Sequence, residues 1–257
     1  VFQGVFAQDP QDNRWEQTFL LLPGRDPVRV SPGIGKTHSA VFVPGDGLKL
    51  AFGSTQHTGT TPPRETATVG DSADHAMDLF LFDLGTGATT VLAEGPGFDG
   101  EPSFCPDGRL AFSSARDGDL EIYVIDGATS SASPRRLTQR GGADDAPRVA
   151  PDCAEVLFVA RGTDGDALMS VPFAGGDARA LLADASRVEG LDWSADGSRV
   201  VFASDLAGPG GPPDLFSIAA DGSDLRRLTD SPAAERHPRL TPDGLSLILT
   251  VAEDGPP

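Results

Sequence analysis

Cysteine is nearly absent from this chain of 257 residues, with Cys105 and Cys153 the only two. Two thiols cannot build a disulfide-dense scaffold, and neither has His or Cys nearby at a spacing that suggests metal or nucleophilic chemistry. Their positions leave a Cys105–Cys153 bond open, because one precedes a turn and the other replaces a glycine within the next. Cations are scarce as well: 20 Lys and Arg face 38 Asp and Glu, for a formal net charge of −18 and a pI near 4.4. That field repels a phosphate backbone, and no basic run offsets it, so nucleic acid is excluded as a partner. Long apolar runs are missing too. No segment approaches the roughly 18 residues a membrane-crossing helix needs, and none reads as a signal peptide.

Punctuation is plentiful instead. The 31 Gly and 22 Pro fall mainly between short apolar runs, as many tight turns joining many short strands require. Phe42, Phe52, Phe80, Phe104, Phe112, Phe158, Phe202 and Phe216 occupy strand-like positions, which argues against disorder despite the acidity. A Pro-Asp-Gly turn recurs as Cys105-Pro106-Asp107-Gly108, Ala150-Pro151-Asp152-Cys153, Ser194-Ala195-Asp196-Gly197 and Thr241-Pro242-Asp243-Gly244. A relative stands at Pro44-Gly45-Asp46-Gly47. From Asp107 the turn Asp recurs after 45, 44 and 47 residues, a period that belongs to propellers and solenoids.

The clearest unit reads as four strands. Pro102–Phe104 comes first, Leu110–Ser113 second and Glu121–Ile125 third, with an outer strand at Arg135–Thr138. Ile122 and Val124 point one way, Tyr123 and Ile125 the other, so both faces are apolar. Stacked blades bury both faces of such a sheet, whereas a lone sheet leaves one wet. Arg135-Arg136 and Arg226-Arg227 sit at equivalent outer positions and read as edge-strand charges that discourage aggregation. The chain thus reads as one domain, 1–257. Its blades span about 1–31 (partial), 38–94, 101–138, 145–183, 189–230 and 235–257 (partial), and an insertion near 54–76 interrupts the second. Six blades with incomplete ends is the favoured plan; a closed five-bladed ring with interleaved termini is the alternative.

The phrase from Phe104-Cys105-Pro106-Asp107-Gly108-Arg109 through Leu120-Glu121-Ile122-Tyr123 resembles the TolB-type, WD40-like (PD40) propeller repeat, and the likeness extends along nearly the whole chain. The resemblance implies an all-β, TolB-like β-propeller of four-stranded antiparallel blades. It also implies a periplasmic or extracellular location (alternative: cytoplasmic) and a role in protein interaction or beside a hydrolase domain. Among residues it carries over the turn Asp and Gly, and the Arg116-Asp117 pair as hairpin charges. The Asp152 unit departs at the Gly and the Asp196 unit at the Pro.

His38 and His237 precede inner strands, which line a propeller's axis, and Glu101, Asp145 and Glu189 occupy roughly the same position in other blades. Together they are the candidate metal ligands at the channel mouth, oxygen-rich for Ca or mixed for Mn or Zn. The insertion offers a second candidate site in His57, Arg64 and His75. Gly33-Ile34-Gly35-Lys36-Thr37 fails as a phosphate loop because Val30 stands where the leading Gly belongs, and no Ser lies in a nucleophile elbow. No catalytic residue is assigned, and no cofactor, with a divalent cation as the alternative. The expectation is a non-catalytic scaffold for a protein partner or small hydrated ligand. The rivals are a metal-assisted carbohydrate-active lyase or hydrolase and an accessory propeller of a larger hydrolase, with further domains on a longer chain.

Overall fold

The four Pro-Asp-Gly turns share a bond across the turn and a bond to the Asp carboxylate, while the N–H of the first residue reaches the carbonyl four residues on at the first turn and five residues on at the others. At the first, Gly108 N donates to Cys105 O (2.9 Å), Cys105 N to Arg109 O (2.8 Å), and Arg109 N to Asp107 Oδ1 (3.1 Å). The turn aspartates Asp152, Asp196 and Asp243 likewise accept from Ala154 N, Ser198 N and Leu245 N at 2.9–3.0 Å. The fourth turn position is left-handed, which glycine tolerates at Gly108, Gly197 and Gly244. Cys153 takes the same conformation at φ 62° with a side chain, at a cost of about 1 kcal/mol.

The computed structural model describes residues 2–4, 17–21, 24–31, 35–45, 47–58, 77–127, 133–185, 187–241 and 243–252. The chain groups into two units, Val1–Arg136 and Leu137–Pro257, and the boundary falls after an outer strand. In the first unit, β1 (Phe2–Gly4), β2 (Gln17–Leu20) and β3 (Val28–Arg29) make a three-stranded sheet. Next come β4 (Thr37–Phe42), β5 (Lys49–Ser54), β6 (Asp78–Asp83) and β7 (Thr89–Ala93), with a 3-10 turn at Gln56–Thr58. The third sheet is β8 (Asp99–Phe104), β9 (Leu110–Ser114), β10 (Glu121–Ile125) and β11 (Arg135–Arg136).

The second unit repeats the plan. Its first sheet holds β12 (Asp144–Val149), β13 (Glu155–Ala160), β14 (Asp166–Pro172) and β15 (Arg179–Ala185). Its second holds β16 (Val188–Trp193), β17 (Arg199–Ser204), β18 (Asp214–Ala219) and β19 (Arg226–Arg227). Its third has two strands, β20 (Ala234–Leu240) and β21 (Leu247–Ala252). All pairings are antiparallel and follow chain order. Among the described residues there are six sheets, and the two terminal ones are separate and incomplete, which fits the six-bladed plan rather than the five-bladed alternative.

Burial on both faces is what the apolar strands require. All five residues of β10 are buried, as are all five of β9. In the first unit, Ala51, Leu79 and Leu92 of one sheet pack with Leu110, Phe112, Tyr123 and Ile125 of the next. In the second, Leu157, Val159 and Leu168 pack with Trp193, Phe202, Phe216 and Ile218. Each fully buried Leu or Phe contributes about 1.5–3 kcal/mol, so stacking of sheets supplies stability that one sheet alone lacks. The Gly35-Lys36 segment is part of this packing: Thr55 N donates to Lys36 O (3.0 Å) and Lys36 N to Thr55 Oγ1 (2.9 Å), and a Cβ on Gly35 would lie 2.6 Å from Thr55 Oγ1.

Candidate functional site

The inner strands β4, β8, β12, β16 and β20 each break register once. The breaks lie between His38 and Val41, Gly100 and Ser103, Asp145 and Arg148, Glu189 and Asp192, and Arg236 and Arg239. Three steps along the inner strand match two along its partner, so each accommodates one extra residue. The first residue inside every break is left-handed: Ser39 (φ 57°), Glu101 (55°), Ala146 (54°), Gly190 (64°) and His237 (51°). For the non-glycines that conformation costs on the order of 1 kcal/mol each, yet five sheets keep it.

This register divides the five predicted ligands. His38, Asp145 and Glu189 share the position before the break, with Gly100 and Arg236 as their counterparts, whereas Glu101 and His237 stand one residue further on. Each has its own surroundings. His38 Nδ1 lies 2.7 Å from Ser39 Oγ, and its ring stacks on Phe98 at 5.8 Å. Glu101 accepts from Ser113 Oγ (2.8 Å). Asp145 takes Arg161 Nε and Nη2, each at 2.9 Å, while Glu189 takes Arg187 (2.7 Å) and Arg236. His237 is exposed. A divalent ion at Asp145 or Glu189 would have to displace guanidinium groups. Cys105 and Cys153 are each disulfide-bonded and offer no thiolate.

Of the insertion residues, Arg64 and His75 lie outside the described residues. His57 pairs with Asp78 (3.0 Å) and stacks on Phe80. That pair belongs to a pattern not read from the sequence. Four third strands begin with a buried acid, and each acid has a basic side chain as partner: Asp78 with His57, Glu121 with Arg136 (2.6 Å), Asp166 with Arg161 (2.6 Å) and Asp214 with Arg227 (2.7 Å). The clue was available, since each acid opens the third apolar run of its repeat. The partners were not, because they come from different places in the blade. Burial raises Asp78 above the usual carboxylate range, against the pull of His57, and burial raises Asp99 against its bonds from Ser114 and Arg116. Arg116 donates to both Asp99 oxygens (3.0 and 2.9 Å) and lies over the Tyr123 ring. Its neighbour Asp117 instead accepts from the Tyr123 hydroxyl and lies 3.5 Å from Arg136. The expected hairpin charges thus serve two separate contacts.

At the opposite end of the sheets the turn aspartates are exposed. Bonds from Ser194 and Ser198 hold Asp196 down at about 2, and bonds from Ser223 lower Asp221. In the second unit Asp152, Asp196 and Asp221 surround a cleft of about 370 Å³ together with Glu155, Arg179 and Trp193. Four carboxylates there face one guanidinium, which is occupied by Glu155 Oε2 (2.8 Å) and Ala220 O (3.0 Å). Trp193 is buried and donates from Nε1 to Arg148 O (3.2 Å).

The profile of the TolB beta propeller domain (PD40) matches residues 69–208, more than half of the chain. The chain belongs to this family. TolB from Acinetobacter baumannii superposes with a TM-score of 0.67 at 24% identity, covering 87% of this chain and 51% of that one. An oligogalacturonate lyase solved in complex with manganese superposes at 0.59 with 21% identity, covering 86% of this chain and 61% of that one. Both likenesses concern the fold. In sequence, the uncharacterized peptidase YuxL of Bacillus subtilis is 23% identical over 178 residues, which is 68% of this chain and 25% of that protein. The chain spans between 18% and 36% of the length of the curated relatives it matches. No helix among the described residues is long and apolar enough to cross a membrane.

Proposed function

We propose that this TolB-type propeller is a non-catalytic scaffold, binding a protein partner or small hydrated ligand at the turn ends of its blades. One observation carries the reading: the second unit holds an open cleft walled by Trp193 and ringed by four carboxylates, two of them with lowered pKa. Such a cleft attracts a cationic group on an apolar stem, by charge at the rim and by contact with the indole and the alanines Ala150, Ala154 and Ala220. Asp145 and Glu189 on the inner strands are spent on arginines, which suits a rigid framework. A capped lysine-rich pentapeptide titrated calorimetrically tests this. Binding is expected to weaken at least about fivefold in the Asp152→Asn/Asp196→Asn/Asp221→Asn variant. Equal binding by both proteins would overturn the reading.

Disulfide-bonded cysteines support a periplasmic or extracellular location, because such bonds persist in oxidising compartments. The small share of its relatives' length supports an accessory propeller within a larger protein, as a hydrolase such as the YuxL peptidase would carry.

A further inference from the structure

We infer that the break in β16 carries an anion site, built from Arg187, Arg236 and Arg239, that takes paired carboxylates from an extended acidic segment of a partner protein. Arginines converge there from β12, from β20 and from the residue ahead of β16. Arg187 Nε lies 2.7 Å from Glu189 Oε1, and Arg236 Nη1 donates to the same oxygen. Two residues on, Leu191 O accepts from Arg239 Nη1 (2.6 Å) and from Arg148 Nε (3.0 Å). Close approach of β20 fixes this meeting. A Cβ on Gly190 would lie 2.6 Å from His237 Cα, and Arg236 and Arg239 stand on either side of His237.

Charge is out of balance at this point. Among the described residues, Glu189 is the one carboxylate within ion-pair distance of Arg187, Arg236 or Arg239. The next acid, Asp192, gives its two oxygens to the backbone N–H groups of Trp193 (3.1 Å) and Leu240 (2.8 Å). Cations gathered this closely repel one another, and an incoming anion relieves that repulsion. Each of the three arginines engages one nitrogen, Nε of Arg187 and Nη1 of Arg236 and Arg239, which leaves two-pronged N–H edges that match a carboxylate. Arg187 and Arg239 are exposed, so their edges open to solvent. The fold does not demand arginine here, because the same register positions in the first unit hold His38, Gly100, Val41 and Ser103. Glu189 and Leu191 stand two residues apart, the spacing of alternate side chains on an extended chain, so acids at alternate positions fit. A net charge of −18 repels acidic peptides in general, and binding of one must come from a local surplus of cations. The proposal adds a second surface to the scaffold reading, and none of its residues lines the turn-end cleft.

The test uses the whole chain and two labelled, capped pentapeptides of glycine, one with glutamate at its second and fourth positions and one with glutamine there, followed by fluorescence anisotropy. The acidic peptide is expected to bind at least about tenfold tighter than the neutral one. Arg187→Gln and Arg239→Gln should each weaken its binding about fivefold. Arg226→Gln removes the same charge from an exposed outer-strand arginine and should change binding by less than about twofold. Circular dichroism melts confirm that each variant is folded, and both site arginines are exposed, so neither change opens the core. Equal affinity for both peptides, binding that survives both site variants, or an equal loss in Arg226→Gln would each overturn the proposal. Free glutarate that displaces the peptide at an equal or lower concentration would overturn the assignment to a protein segment. The turn-end triple variant should bind the acidic peptide at least as well as the native protein, so failure at this surface is separable from failure of the cleft reading.

Discussion

The two ends of each sheet use the same residue type in opposite ways. Where third strands begin, Asp78, Glu121, Asp166 and Asp214 are buried and held by a basic side chain, a histidine for the first and arginines for the others. At the Pro-Asp-Gly end, Asp107, Asp196 and Asp243 are exposed, and their pKa values are lowered by hydrogen bonds from their own turns. Burial works against the charge at one end, and local N–H and O–H donors favour it at the other. The first end therefore depends on long-range partners, while the second is built from sequence neighbours and leaves its charge facing solvent.

The strongest way to break this contrast is Arg136→Ala, which strands Glu121, a fully buried acid, without its guanidinium. Stability is expected to fall by about 3 kcal/mol in urea denaturation, and replacing Glu121 and Arg136 together with methionine should recover most of it. Gly190→Ala comes next. Its new Cβ would lie 2.6 Å from His237 Cα at a φ of 64°, for a loss of about 2 kcal/mol, while Ala146→Gly at the matching position should change stability by less than about 1 kcal/mol.

The smallest effects are the most diagnostic, because their signs oppose. Asp78 has a folded pKa above 3.8, so its contribution is fully present below 3.8 and is lost as pH rises through the folded value. Asp78→Asn should therefore gain on the native protein as pH rises from 4 toward neutrality. Asp196 has a folded pKa of about 2, so it stabilises above 3.8 and that contribution is lost as pH falls through about 2. Asp196→Asn should be less stable than the native protein at neutral pH and should draw level at the acid extreme. Thermal melts across pH on both variants check this, and parallel curves would refute the contrast.

Turn chemistry and two-sided apolar strands made the blades legible, because each is written within a few consecutive residues. Asp107-Gly108 and Glu121–Ile125 need no distant information to be read. The candidate site was less legible for a matching reason. Counting back from the strands aligned His38 with His237, but the register sets His38 level with Arg236, one residue before His237, and nothing in the local composition marks where the break falls. The acid clamps were hidden differently. Glu121 meets Arg136 from the fourth strand, whereas Asp166 meets Arg161 from the end of the second, so no single spacing describes them.

The extra residue in the inner strands constrains how the chain can change over generations. Removing it from β12 would leave Asp145 opposite Val159 and Arg148 opposite Leu157 in a regular ladder, so the facings on both sides would be kept and only the bend would go. Loss of one codon there is therefore expected to be milder than loss of one elsewhere in β12, which would reverse the facing of everything beyond the gap, and inherited length variation should accumulate at these breaks and between strands.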